Sequence, residues 1–240
     1  VKSTLPPDDN GDDGFTLHNM ECHSELGRPF QIEASLLTKK DIDSEMESLL
    51  GTGMSLQIAL PDKKGKRFFH GLVGQIQYEG SEGERFRYQA VLYPWIWFLK
   101  HTSDNRIFPD MTAVEIIKEI FKKHGRSAKD DLTSSYDRRE YCVQYGETDF
   151  DFVSRMMEEE GIYYFFKHTD GNHELILADS AGHGALCDEG NDRDGLAGVL
   201  IDVLARLDQH ANFRLCLFDF ARLVGQFPFA LASLSLFFFQ

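Results

Sequence analysis

The chain has 240 residues, 27% of them charged, with 39 Asp and Glu against 25 Lys and Arg, for a formal net charge of −14. That length allows one large or two small domains, each with its own core. The charge argues against binding nucleic acid or an anionic membrane through a basic face. Cys22, Cys142, Cys187 and Cys216 are widely scattered without a CxxC pair, which fits reduced thiols in a cytosolic protein better than a disulfide framework.

Residues 1–13 are rich in Pro, Asp and Gly and read as a mobile lead-in, with no apolar core of the kind a signal peptide needs. Val1 in place of Met is what a fragment or an unusual start codon would give. A strand is expected near Phe15–His23. Phe30, Ile32, Ala34 and Leu36 then alternate with Gln31, Glu33 and Ser35, and Met54, Leu56, Ile58 and Leu60 repeat the pattern. After a turn at Pro61–Gly65, Phe68, His70, Leu72, Gly74, Ile76 and Tyr78 give the return strand. A further turn at Glu79–Glu84 leads to Phe86, Tyr88, Ala90 and Leu92. One short helix is expected around Asp43–Leu50. Strict alternation means one buried and one wet face, the pattern of a small antiparallel barrel or sandwich over residues 14–100.

Pro94–Leu99 breaks the alternation and brings Trp95 and Trp97 together, to plug one barrel end or a domain seam; a sugar platform and a subunit contact are the alternatives. Thr112 and Glu115 have capping-box spacing. Val114, Ile117, Ile120 and Phe121 form the apolar stripe of a helix over Thr112–His124, and Gly125 stops it. Ser127–Arg139 is a charged connector. Tyr141, Val143 and Tyr145 alternate with Cys142 and Gln144 as a half-buried strand, and Thr148 caps a helix carrying Phe152, Val153, Met156 and Met157. Gly161 ends that helix before a hairpin, Ile162–Lys167 to Glu174–Ala178. Residues 101–183 are therefore mixed α and β. From residue 184 the character changes to a charged stretch and then an apolar run without alternation. Asp219, Arg222 and Pro228 interrupt that run too often for a membrane span.

Chemistry is weakly signalled. Ala178–Gly182 is one residue from a GxSxG elbow, but Ala at its first position and His183 so close in sequence make Ser180 a poor nucleophile. His168, His173 and His183 flank the last hairpin without metal-ligand spacing and read as solvated loop histidines; His70 lies on the apolar phase of its strand and reads as a hydrogen-bonded core or interface residue. Glu158, Glu159 and Glu160 point about 100° apart in succession on a helix and cannot converge on one bond, so they read as a solvated acidic patch, fit to face a partner. No catalytic residue, cofactor site or metal site is expected.

YCVQYGETDFDFVSRMMEEEGIYYFF (Tyr141–Phe166) resembles the signature stretch of the VgrG family, the spike proteins of type VI secretion systems, itself similar to the baseplate hubs of contractile phages. FTLHNMECHSELGRPF, RFFHGLVGQI, YPWIWFL, DNRIF and HELILADS extend the likeness over roughly residues 14–183. Gly146 departs from it, standing where the family carries Arg, which would loosen a local ion pair. The resemblance implies a β-rich α+β fold of two small antiparallel β-barrel-type domains with inserted helices, over 14–100 and 101–183, the second incomplete. It implies a trimeric hub docked on a tail tube of Hcp rings, meeting baseplate components, effectors and adaptors. Such a protein assembles in the bacterial cytoplasm and is injected into a target cell without a signal peptide, with no nucleic-acid partner and no membrane anchor. Residues 184–240 then look like the product of a reading-frame change or gene decay. A prophage baseplate hub is the close alternative. A carbohydrate-binding module using Trp95 and Trp97 and a serine hydrolase using Ser180 are the alternatives of other classes.

Overall fold

The computed structural model describes residues 1–3, 14–59 and 65–180. The expected tail over 184–240, with Cys187 and Cys216, the bulk of the lead-in, and His183 lie outside the described residues. Five strands build the first sheet: β1 (Thr16–His23), β2 (Gln31–Thr38), β3 (Gly53–Ala59), β4 (Lys66–Glu82) and β5 (Arg85–Tyr93). They pair antiparallel in the order β1-β2-β5-β4-β3, curled into a nearly closed barrel. The alternation predicts this: Phe30, Ile32, Ala34, Leu36, Met54, Leu56, Tyr88, Ala90 and Leu92 are all buried in one core. The helix α1 (Met46–Leu49) is a single turn, shorter than the sequence suggests, and adds Leu49 to that core. Ile42 donates its N–H to the Tyr88 hydroxyl at 3.1 Å, and burial pushes the Tyr88 pKa up to about 12. At the chain start, Lys2 exchanges backbone hydrogen bonds with Ser55 of β3.

β4 departs from the one-wet-face pattern. Over His70–Val73 it is buried on both sides, Val73 in the barrel core and Leu72 in a second core beyond it. The same strand therefore serves two interiors, and its pairing with β5 slips between Val73 and Gln75 as it leaves them.

The second core gathers a 3₁₀ turn (Trp95–His101), β6 (Ser103–Met111), α2 (Ala113–Lys123), β7 (Ala128–Asp131), β8 (Arg139–Thr148), α3 (Asp149–Glu159), β9 (Tyr163–Thr169) and β10 (Asn172–Ala178). β7, β10 and β9 form a three-stranded sheet, and β6 pairs with β8 as a two-stranded ribbon. α2 begins with the expected capping box between Thr112 and Glu115, and α3 with the Thr148 hydroxyl accepting from the Asp151 N–H at 3.0 Å. Two strands are absent from the sequence reading. β6 is one. β7 is the other, inside the charged connector, where it pairs parallel to β10. The buried phase of β8 is Cys142 and Gln144, while Tyr141, Val143 and Tyr145 are exposed.

Close approach fixes Gly71 of β4: a Cβ there would lie 2.9 Å from Leu92 Cβ and 3.3 Å from the Tyr93 carbonyl oxygen. Gly71→Ala is expected to destabilise the protein by ~1–3 kcal/mol through overpacking. The check is a lowered urea midpoint at unchanged m-value; an unmoved midpoint would mean that β4 and β5 separate freely.

Candidate functional site

The barrel and the three-stranded sheet meet along one polar and aromatic seam. Phe30 of the barrel core packs edge-on against Phe166 of β9 at 4.9 Å between centroids, and Phe166 packs against both cores. Around that contact three histidines converge. His70 on β4 places Nδ1 2.8 Å from Nδ1 of His173 on β10, and Nδ1 of His168 on β9 lies 3.2 Å from the backbone nitrogen of His70. Trp95 donates its backbone N–H to His173 Nε2 at 3.0 Å.

These bonds set the tautomers. An Nε2 that accepts from Trp95 carries no proton, so neutral His173 holds its proton on Nδ1 and donates it to His70 Nδ1. The His70 proton is then on Nε2, the atom that faces Gly53. Protonating either ring would bring two N–H groups face to face. Burial, with lesser repulsion from His70, His168 and Arg126, lowers the His173 pKa to about 3; burial and Arg126 also lower that of His70. Gly171 donates its N–H to Ser55 Oγ at 2.9 Å, and Lys2 pairs with Asp170, so the hairpin turn is tied to the barrel as well.

A second polar centre holds the helices to the ribbon. The Asp149 side chain is fully buried and accepts from Gln144 Nε2 at 2.7 Å, Arg106 Nη2 at 2.9 Å and His124 Nε2 at 2.7 Å, with Lys123 Nζ at 3.5 Å. Burial opposes ionisation of this carboxyl. The bonds from Gln144 and His124 and the charges of Lys123 and Arg106 outweigh it and hold the pKa below the usual carboxylate range. One residue thus ties together β6, α2, β8 and α3.

Residues singled out in the sequence fall as follows. Trp95 is buried against Phe121, and Trp97 is half-buried, stacked on Tyr93 at 4.2 Å; neither is an open sugar platform. His168 and His173 are not solvated loop residues but members of the seam, which corrects that reading. The available signal was their phase: His168 follows Tyr164 and Phe166, and His173 precedes Leu175 and Leu177, at intervals of two. His70 is the hydrogen-bonded interface histidine expected. Glu159 and Glu160 are paired with Arg139 at 2.7 and 2.6 Å and Glu159 also with Arg155, so the acidic patch is largely neutralised in place. Ser180 accepts from the Tyr163 hydroxyl through its carbonyl at 2.8 Å. Cys22 is exposed and Cys142 buried, both free. Gly146 takes φ +64° and donates to Asn105 Oδ1, and beside it Glu147 keeps its ion pair with Arg155 at 2.8 Å. Among the described residues no group of three or more His, Cys, Asp or Glu side chains is arranged to hold a metal ion.

Residues 23–192 match the phage tail baseplate hub (GPD) family. The chain is 46% identical over 173 residues to type VI secretion system spike protein VgrG1a of Pseudomonas aeruginosa and 44% identical over 173 residues to VgrG1b of the same organism. These alignments cover 72% of this chain but 27% and 23% of the relatives, so the chain spans about a quarter of their length. Among solved structures, Escherichia coli c3393, a type VI secretion component described as similar to T4 bacteriophage tail proteins gp27 and gp5, superposes with a TM-score of 0.60 at 24% identity. That match covers 70% of this chain and 46% of that one. The Francisella PdpA–VgrG complex superposes at 0.51 with 12% identity, over 74% and 29% of the two chains. Both show the likeness of fold.

Two outcomes are expected at the polar centres. A histidine whose pKa is lowered on folding contributes stability that is fully present above its unfolded value, near pH 6.5, and is lost as pH falls from there toward about 3. His173→Gln can accept from Trp95 and donate to His70 without titrating. Its unfolding midpoint should therefore fall less steeply than wild type between neutral and mildly acidic pH; parallel slopes in thermal melts would refute the neutral relay. Asp149→Ala leaves Arg106 without its buried partner and is expected to cost ~3–5 kcal/mol by chemical denaturation.

Proposed function

On the premise that this chain belongs to the phage tail baseplate hub family, we propose that it is the N-terminal hub of a type VI secretion spike of the VgrG kind. The observation that carries the reading is the 46% identity over 173 residues to a type VI spike protein. The role is mechanical. Three copies assemble around an axis, dock on the end of a tail tube of Hcp-like rings, meet baseplate components, and pass the force of contraction to the effectors and adaptors they carry. Two barrel-type domains per chain would match three copies to a sixfold tube, the second barrel being completed by residues beyond those described.

Several features support this reading. The two cores share β4 and are locked by hydrogen bonds of fixed tautomer, which suits a part that must transmit load without yielding. Asp149 and the His70–His173 pair are held by partners within the chain, as suits a part that keeps one shape. Among the described residues no helix is long and apolar enough to cross a membrane. Assembly in the bacterial cytoplasm followed by injection into a target cell is the corresponding itinerary. A contractile-phage hub is the second reading, favoured by the family match itself.

Mixing the purified full chain with preformed Hcp tubes, and separately with phage-type tail tubes, tests both. The chain is expected to cosediment with Hcp tubes and to cap one end in negative stain. Retention on phage tubes alone would move the assignment to the second reading, and retention on neither would reject the hub role.

A further inference from the structure

Asp179 draws four donor groups onto one carboxylate. It stands one residue past β10, and its side chain meets the loop that follows β7. Oδ1 accepts from the Thr133 N–H and from the Thr133 hydroxyl, each at 2.9 Å. Oδ2 accepts from the Ser134 N–H at 2.7 Å and the Tyr136 hydroxyl at 2.8 Å, and shares the Thr133 N–H at 3.0 Å. Successive backbone N–H groups turned on one anion form a concavity of the kind that elsewhere holds phosphate. Here two hydroxyls complete it, so that each carboxylate oxygen is met at least twice. Burial opposes ionisation of this carboxyl; the bonds from the two amides and the two hydroxyls outweigh it and hold the pKa below the usual carboxylate range. We propose that the loop over residues 133–136 is a carboxylate receptor filled in cis by Asp179, a clasp that keeps a strap of chain closed over the second core.

The strap needs such a clasp. β7 has four residues, two of them acidic, and it pairs in parallel, the slightly less stable arrangement. Before β7 the chain is already fixed, since Gly125 and Arg126 donate their N–H groups to the Lys122 and Phe121 carbonyls at the end of α2. After β7 the pairing stops where Asp131 faces Ala178, and there the clasp takes over, tying residues 133, 134 and 136 to the next residue of the partner strand. Leu132 and Tyr136 lie against the second core, so the strap covers that core on its way to β8. Charge attraction does not place Asp179 here. None of its four donor groups is charged, and the neighbouring charges that Tyr136 and Tyr163 feel beside Asp179 are acidic, Glu160 and Asp131. The receptor selects by hydrogen-bond pattern. An amide in this place would turn an NH₂ group toward N–H and O–H donors, whereas a carboxylate offers only acceptors.

Amide hydrogen exchange on the full chain tests the clasp. Thr133 and Ser134 are exposed residues, so protection of their amides reports the bonds to Asp179. In Asp179→Ala both amides are expected to exchange at least about tenfold faster than in wild type, with the barrel amides unchanged. Formate is expected to restore their protection where chloride at the same ionic strength does not, and to leave wild type, whose receptor is full, unaffected. Unchanged protection in Asp179→Ala overturns the clasp. Lost protection that formate repairs no better than chloride overturns the receptor. A second arm keeps Asp179 in place and holds even where Asp179→Ala does not fold. Tyr136→Phe retains the ring against the core and removes one donor, and carbon-13 NMR is expected to show the Asp179 carboxyl titrating at higher pH than in wild type. An unshifted titration overturns the clasp. None of these outcomes bears on the hub reading.

Discussion

The joint between the barrel core and the second core depends on two imidazole rings staying neutral. The relay from the Trp95 N–H through His173 to His70 links the 3₁₀ turn, β10 and β4 in one line. It works only with one tautomer on each ring. The barrel core and the second core are each apolar and could each exist as a separate droplet of side chains. The buried donors and acceptors between them fix how they are joined, because any shift in register would leave an imidazole nitrogen or a backbone N–H unpaired at a cost of ~1–3 kcal/mol each. Hydrophobic burial supplies adhesion here, and the histidines supply the address.

The Asp149 centre follows the same logic with a charge in place of a neutral ring. A lone buried carboxylate would take up a proton or unfold its surroundings. Surrounded by Arg106, His124, Lys123 and Gln144, it instead becomes the one point where ribbon and both helices must agree. Its position at the first turn of α3 adds the favourable end of the helix dipole. Both centres are therefore polar specificity devices inside apolar cores, one at the seam and one under the ribbon.

How far the sequence reveals this depends on the range of the signal. Local devices were plain: the capping box at Thr112, the cap at Thr148, the strand alternation through Phe30–Leu36 and Tyr88–Leu92. β7 was not, because the four residues Ala128–Asp131 carry no alternation of their own and become a strand only by lying parallel to β10. β4 was misjudged for a related reason. Alternation states that two faces differ, and it cannot say that a second core will arrive to cover the wet one. His168 and His173 carried the right phase, but a pair of histidines in a short polar hairpin also fits solvent, and only the arrival of β4 decides between the two.

β8 presents the converse problem. Its sequence alternates apolar and polar residues, and the usual inference would bury Tyr141, Val143 and Tyr145. The fold buries Cys142 and Gln144 instead, since Gln144 is needed to hold Asp149 and Cys142 to pack on Met156. The apolar phase, Tyr141, Val143 and Tyr145, is displaced to the outside by this inner polar requirement. The polar requirement that ties the helices to the ribbon inside is thus also the reason that its apolar phase lies outside. Inner order and outer exposure follow from the same alternation read from its two sides.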